Sequence, residues 1–274
     1  MTDAGVQATQ VGQAGPGVQA AQVGQAGPVT LAIDIGGSGL KASVLDAAGT
    51  MLVDRVRAAT TYPLPPPALV ASLVELVRPL PAFDRVSAGF PGVVRMGHVV
   101  TAPHFVTAAG PGTDVRPDLV EAWTSYDLAG ELATALGRPA KVVNDADLQG
   151  AAVIAGHGLE LVITLGTGVG SGLFADGHLA PHMELAHHPF RKGQTYDEQI
   201  GDRARRRVGN KKWNKRVCKA FANFGILLNP DHVYIGGGNA THVSFDLGPG
   251  TTVVDNTAGI LGGIKLWEQA SPLA

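Results

Sequence analysis

The sequence is poor in cysteine, in charge and in long apolar stretches, and each shortage excludes something. A single cysteine among 274 residues, Cys218, leaves no intrachain disulfide and no cysteine cluster for a structural zinc, and points to a reducing compartment. No apolar run approaches the roughly 20 residues of a membrane span. The first residues carry neither a basic nor an apolar segment of the secretory kind, so the expectation is a cytoplasmic protein with no membrane partner. Charged residues make up 16% of the chain and hydrophobic ones 45%, which argues against wholesale disorder and suffices for one large or two modest domain cores.

Acidic residues are missing where basic ones crowd. Arg203 to Lys219 holds nine of the 21 Lys and Arg residues and no Asp or Glu, which leaves 12 basic against 23 acidic residues, or −11, in the rest. Such a run is either a surface for a polyanion or the solvated face of a helix. Lys212, Lys215, Arg216 and Lys219 repeat along one side, leaving Trp213 and Val217 to face a core. A nucleic-acid partner is not expected, since the rest of the chain is acidic and Trp213 is the only aromatic in the run.

Residues Gly5 to Pro28 are two copies of a twelve-residue unit that differ only at Thr9 and Ala21. Two copies make no solenoid, and their Gln, Gly and Ala cannot build a core, so residues 1–28 are expected to be a disordered tail. Structure is expected from Val29–Ile35, a buried strand, through the turn Gly36–Gly39 into a second strand at Leu40–Leu45. Further strands are expected at Met51–Ala58, Arg85–Phe90, Ala140–Val143, Leu159–Leu165 and Asp231–Ile235. Helices are expected at Pro67–Val77, at Tyr126–Leu136 with a stop at Gly137-Arg138-Pro139, at Asp147–Ala155, over a basic stretch Tyr196–Leu228, and at Thr257–Gln269. Strand pairs followed by helices, given twice, suggest two related α/β halves.

Four constellations carry chemistry. Asp34-Ile35-Gly36-Gly37-Ser38-Gly39 puts a carboxylate at a strand end before glycines, which let backbone N–H groups approach phosphate oxygens while the carboxylate holds a hydrated Mg²⁺. Lys41 either adds charge toward the donor or faces solvent, and an ordinary glycine hairpin is the alternative. Gly166-Thr167-Gly168-Val169-Gly170 repeats the arrangement after a second strand; it is no P-loop, and with a strand after it no dinucleotide fingerprint. Two strand, glycine-turn, strand units in one chain suit a grip on one phosphate chain from two sides. Between them in sequence, Asn144-Asp145 ends a strand: Asp145 is either a base for an attacking hydroxyl or the cap of the helix that follows, a role open to Asp147 too. Last, Glu184, His187, His188 and the later Glu198 match the donor and acceptor alternation of sugar hydroxyls; as a zinc site they lack a His pair at i, i+4.

Taken in order, these stretches resemble the ROK family of sugar kinases, and within it the polyphosphate glucokinases. The resemblance runs from about Val29 to Trp267 on Asp34–Lys41 (DIGGSGLK), Gly89–Val93 (GFPGV), Asn144–Gly150 (NDADLQG), Leu165–Gly172 (LGTGVGSG), Glu184–His187 (ELAH), Tyr234–Asn239 (YIGGGN) and Asn256–Gly263 (NTAGILGG). It implies the actin-like ATPase, ribonuclease H-like fold: an α/β protein with a small domain of residues 29–143 plus 257–274, a large one of 144–256, and an interdomain cleft. Asp145 is then the catalytic base. Asn144, Asp145, Glu184, His187 and Glu198 bind the sugar. Asp34, Gly36, Gly37, Ser38, Gly39, Lys41, Gly166, Thr167, Gly168 and Gly170 bind the phosphate donor, with Asp34 near Mg²⁺ through water, and Gly236, Gly237 and Gly238 approach the adenosine of a nucleotide donor. Arg205, Arg206, Lys211, Lys212, Lys215 and Arg216 would form a track for polyphosphate. Where many ROK proteins have a zinc-binding cysteine cluster, this chain reads His188-Pro189-Phe190-Arg191-Lys192-Gly193, so structural zinc is not expected. The implied activity is phosphoryl transfer from polyphosphate, and also ATP, to the 6-hydroxyl of glucose by a homodimer. An ATP-only ROK kinase for mannose or N-acetylmannosamine, or a sugar-responsive regulatory protein, is the alternative.

Overall fold

The computed structural model describes residues 27–254 and 262–268; the N-terminal repeat through residue 26, the Asn256–Gly263 motif before 262 and the last six residues lie outside the described residues. Strands β1 (Thr30–Ile35) and β2 (Gly39–Leu45) form an antiparallel hairpin, β3 (Val56–Ala59) pairs with β2, and helix α1 (Pro66–Val77) follows. Then come β4 (Arg85–Phe90), the small hairpin β5 (Val94–Arg95) and β6 (His98–Val99), α2 (Pro117–Trp123), α3 (Leu128–Leu136), β7 (Ala140–Asn144) and α4 (Asp145–Ala151). The next hairpin is β8 (Leu159–Leu165) and β9 (Val169–Ala175), extended by β10 (His178–Leu179). A 3₁₀ turn at Leu185–His187, β11 (Pro189–Arg191), β12 (Gln194–Thr195) and three helices, α5 (Tyr196–Ile200), α6 (Asp202–Val208) and α7 (Asn210–Leu228), precede β13 (His232–Gly236), β14 (Thr251–Val253) and α8 (Gly262–Glu268).

The main sheets run β3-β2-β1-β4-β7 and β10-β9-β8-β13-β14, and each is an antiparallel hairpin continued by two parallel strands. The β1 sequence is nearly continuous in apolar residues because neighbours pair on both of its edges and cores cover it; Leu31, Ile33 and Ile35 are buried. Over this sheet Phe90, Phe105 and Trp123 meet with ring centroids 5.4–5.5 Å apart, and the Trp123 indole donates to the Leu64 carbonyl at 3.0 Å. Under the second sheet α5 and α7 supply Tyr196, Ile200, Trp213, Val217 and Phe224. Trp213 is fully buried and donates to the Ile200 carbonyl at 2.7 Å, and truncating such a side chain costs about 3–5 kcal/mol.

Local signals account for most element ends. Helix α3 starts on Asp127, whose carboxylate accepts from the Gly130 amide, and stops at Gly137 in the left-handed conformation. Helix α8 lies against the first sheet: Ser87 donates to the Gly263 carbonyl at 2.6 Å, the Trp267 indole to Ser87 at 2.8 Å, and Lys141 to the Leu266 carbonyl at 2.9 Å.

Three expectations need correction. The strand at Met51–Ala58 shrinks to Val56–Ala59: a turn held by Asp46 on the Ala48 and Thr50 amides brings Met51 and Leu52 back to Leu45 and Val44, and ladder pairing with β2 resumes only at Val56. The helix expected at Asp147–Ala155 begins two residues earlier and ends at Ala151. The basic stretch is three helices rather than one: the chain is extended at Gly201 and turns at Gly209, where φ is +76°. That break seats the Asp202 amide on the carbonyls of Gly166 and Thr167 at 3.1 and 3.2 Å.

Candidate active site

Asp145 stands where β7 passes into α4, and its position is set by Asn144. The Asn144 side chain caps the helix by accepting from the Ala146 amide at 2.8 Å and donates to the Gly92 carbonyl at 3.0 Å. Both ends of Asn144 are thus engaged within the protein, and the capping role that Asp145 and Asp147 were open to falls to it. Among the described residues the half-buried Asp145 makes one hydrogen bond, from the Ala146 amide at 2.9 Å. Burial, with the charges of Asp34, Asp147 and Glu184 added, pushes its carboxyl up to about 6. A carboxylate so destabilised near neutral pH is suited to take a proton.

Two glycine turns lie on either side of this acid in sequence; the charge of Asp34, which precedes the first, reaches it, and its neighbour Ala146 packs against Gly170 after the second. In the first, Gly36 donates to the Gly39 carbonyl at 3.0 Å, while the outward carbonyls are capped by side chains, Thr60 on Gly36 at 2.7 Å and Tyr62 on Gly37 at 2.6 Å. In the second, Gly166 donates to the Gly168 carbonyl at 2.9 Å, and the Gly166 carbonyl accepts from the Asp202 amide and, at 3.0 Å, from Asn239. Among the described residues nothing accepts from the amides of Gly37, Ser38, Thr167 or Gly168. With carbonyls capped and amides free, both turns present positive potential, as an anion nest does. Asp34 is tied to Lys41 at 2.8 Å, so Lys41 turns back on that carboxylate. Gly170 lies in β9, where a Cβ would sit 2.8 Å from that of Ala146; it lets α4 close on the sheet. Gly237, at φ +87°, packs on the Leu165 backbone, where no side chain fits, and brings Asn239 to the second turn. Gly236 and Gly238 sit either side of that contact.

The polar floor holds residues that sequence reasoning passed over. His182 is buried, with Nδ1 2.9 Å from an Asp147 carboxylate oxygen and Nε2 3.7 Å from Glu184. Burial alone would lower its basicity, but the hydrogen bond to Asp147 and the two negative charges outweigh it and push the imidazole up to about 9. Burial likewise pushes Glu184 up, yet His182 and His187 outweigh it and hold that carboxyl below the ordinary range. His187 is exposed beside it. His104 presents an unpartnered, buried Nδ1 to the first turn, 2.5 Å from where a Cβ on Gly37 would stand. Burial lowers the basicity of His104, and the charges of Asp197 and His187 reach it. Asp197 accepts from the Val169 amide at 2.9 Å, a Cβ on Gly168 standing 2.5 Å from the same oxygen. The exposed Glu198 instead closes a capping box with Thr195 at the head of α5. The Asp197–Glu198 pair was the readable signal; which member faces the turn depends on the helix start.

The basic residues divide in two. Arg205 and Arg206 both pair with Asp202, at 2.9 and 2.6 Å, beside the second turn. Lys211, Lys212, Lys215 and Lys219 are exposed on α7 and form no ion pair among the described residues. Arg216 folds back to donate to the Gln199 carbonyl at 3.2 Å, and Arg191 reaches the Gln199 side chain at 3.5 Å. Burial, helped by the charges of Arg191 and Arg207, lowers the basicity of Arg216.

Among the described residues no three His, Cys, Asp or Glu side chains converge on a metal site. Mg²⁺ is ordinarily held by one or two carboxylates, waters and the substrate's phosphates, and Asp34, 47% exposed beside the free amides of the first turn, fits that mode.

Comparison with known proteins bears on this geometry directly. The sequence pattern of the ROK family matches residues 30–186, more than half of the chain. The chain belongs to the ROK family. This ROK protein is 30% identical over 232 residues to the polyphosphate glucokinase of Mycobacterium tuberculosis, covering 77% of this chain and 80% of that one. Among solved structures it is similar to the inorganic polyphosphate/ATP-glucomannokinase of Arthrobacter sp. strain KM, at 29% identity and a TM-score of 0.70, over 87% of this chain and 97% of the other. It shares the fold of a ROK family glucokinase from Streptomyces griseus solved with glucose and AMPPNP, at 18% identity and a TM-score of 0.66, over 87% and 98% of the two chains. The fold is the actin-like ATPase fold.

Proposed function

We propose that this protein is a glucokinase that transfers a phosphoryl group from inorganic polyphosphate, and also from ATP, to the 6-hydroxyl of glucose, giving glucose 6-phosphate. The observation that carries the reading is Asp145, its carboxyl pushed up to about 6 by burial and by the nearby charges of Asp34, Asp147 and Glu184, in a chain whose two glycine turns keep their amides free. The glucose 6-hydroxyl gives its proton to Asp145 and its oxygen bonds to the terminal phosphorus. The bridging P–O bond of the donor breaks, and the shortened donor leaves with that oxygen. The free amides of both turns stabilise charge on the phosphoryl oxygens and need no reorganisation to do so. Mg²⁺ held at Asp34, when bound, would neutralise donor charge. Glu184 and His187 bind the sugar, and Asp197 and His104 border it from the two turns.

The choice of polyphosphate rests on charge. Arg205 and Arg206 stand beside the second turn, Arg191 and Arg216 meet at Gln199 with the charge of Arg207 reaching Arg216, and Lys211, Lys212, Lys215 and Lys219 are exposed on α7. A long polyanion gains from such a row by releasing counterions, and ATP needs no row. The relatives named polyphosphate glucokinase and polyphosphate/ATP-glucomannokinase support the same donor.

A coupled assay with glucose and long-chain polyphosphate in nucleotide-free buffer tests the reading, and formation of glucose 6-phosphate is expected. Turnover with ATP alone would remove the polyphosphate donor. Turnover only with mannose or N-acetylmannosamine would replace glucose.

A further inference from the structure

Asp147 and His182 are each 2% exposed, and the canonical roles of base, donor turn and sugar contact leave both without a task. They are joined at 2.9 Å, and the other face of the imidazole lies 3.7 Å from Glu184, which is 27% exposed. One end of this chain of groups is on α4, two residues from Asp145, and the other is Glu184. The backbone of the segment is fixed from both sides: Ser171 of β9 donates to the Met183 carbonyl at 2.8 Å, and Arg95 of β5 donates to the His182 carbonyl at 3.4 Å. The imidazole is thus held while its Nε2 makes no hydrogen bond among the described residues and faces Glu184 at ion-pair distance.

We propose that His182 is a positioning residue, a two-armed clamp that orients Glu184 for the sugar through Nε2 and ties it through Nδ1 and Asp147 to the helix that carries Asp145. The inference rests on the reading of Glu184 as a sugar contact. Two carboxylates on either side of one imidazole keep it doubly protonated, so that Nδ1 donates to Asp147 and the Nε2 proton faces Glu184. Burying Asp147 without that cation would leave a charge with no partner, which is why the pair is built as a unit.

Two substitutions separate the arms. His182→Asn keeps an amide near the Nδ1 position and removes the reach to Glu184; His182→Gln keeps the reach and loses the bond to Asp147. In steady-state assays on the full chain, His182→Asn should raise the glucose KM about tenfold or more, ~1.4 kcal/mol, with kcat within about threefold. His182→Gln should stay nearer the wild-type KM and lose thermal stability instead. In a Glu184→Gln background, His182→Asn should add little further to KM, because its effect passes through Glu184. A wild-type KM in folded His182→Asn, or an undiminished effect in the double variant, would overturn the clamp. If Glu184→Gln itself leaves the glucose KM unchanged, it is the sugar-contact reading that fails. Should the variants not fold, ¹H–¹⁵N spectra of the wild-type imidazole decide: both nitrogens protonated at pH 8 supports the clamp, and a neutral ring there refutes it.

Discussion

The two glycine turns do the same electrostatic work on different mounts. The first hangs mainly from side chains, the Thr60 and Tyr62 hydroxyls, with one long main-chain bond from the Thr60 amide to the Ser38 carbonyl at 3.4 Å, and is faced by His104. The second is seated mainly on main chain, the Asp202 amide, with the Asn239 side chain on the Gly166 carbonyl and Asp197 on the Val169 amide. Freed backbone amides can therefore be produced by quite different sequences, provided that something caps the carbonyls. The side-chain mount is open to single substitutions, whereas the main-chain mount depends on a helix break.

The largest effect expected is at the acid between the turns. Asp145→Asn keeps the acceptor for the Ala146 amide and removes the base, so kcat should fall roughly 10²- to 10⁴-fold while the fold gains stability. The sign follows from linkage: the folded value of about 6 lies above the ordinary 3.8, so stability present below the ordinary range is lost as pH rises through about 6. At neutral pH the aspartate carries that penalty and asparagine does not, a difference of about 1–3 kcal/mol for a half-buried group. Thermal melts at pH 7.5 check it, and a destabilised variant would break the account. By the same sign, wild-type turnover should fall as pH drops below about 6.

Next in size is Gly237→Ala, which forces a Cβ onto the Leu165 backbone and should cost more than about 3 kcal/mol. It should take the second turn with it, read as lost donor binding in whatever fraction folds. Removing both hydroxyls from the first turn, Thr60→Val with Tyr62→Phe, should cost about 1–3 kcal/mol and raise the donor KM several-fold. Asn239→Ala should cost least, about 1 kcal/mol, because the Asp202 amide still holds Gly166. A larger donor-KM effect from Asn239→Ala than from the double change would reverse the contrast between the mounts.

Much of the scaffold was legible because its causes are local. Arg85–Phe90 and Leu159–Leu165 form the strands that their apolar runs announce, and α3 starts and stops on its own cap and glycine. The amphipathic spacing around Trp213 and Val217 correctly put both in the core. Gly201 and Gly209 were readable breaks in the basic stretch, outweighed by its helical periodicity. Asp34, Asp145 and the glycine turns stood out in sequence as candidates, each beside a structural alternative: a glycine hairpin for the turns and a helix cap for Asp145, which Asn144 takes instead.

The rest depended on partners far away in sequence. The Asp147–His182 pair spans 35 positions, and His104 meets a turn 67 positions before it, so nothing in the residues around either histidine marks it. Asn144, by the family resemblance, and Glu198, by residue type and resemblance, were expected as sugar contacts, and each has its side chain engaged by a helix start. By itself the sequence determined most strands of the two main sheets and both glycine turns, because periodicity and glycine act within a few residues. Only the tertiary structure decided which polar groups remain free for a ligand, because that depends on what the rest of the fold has already bonded.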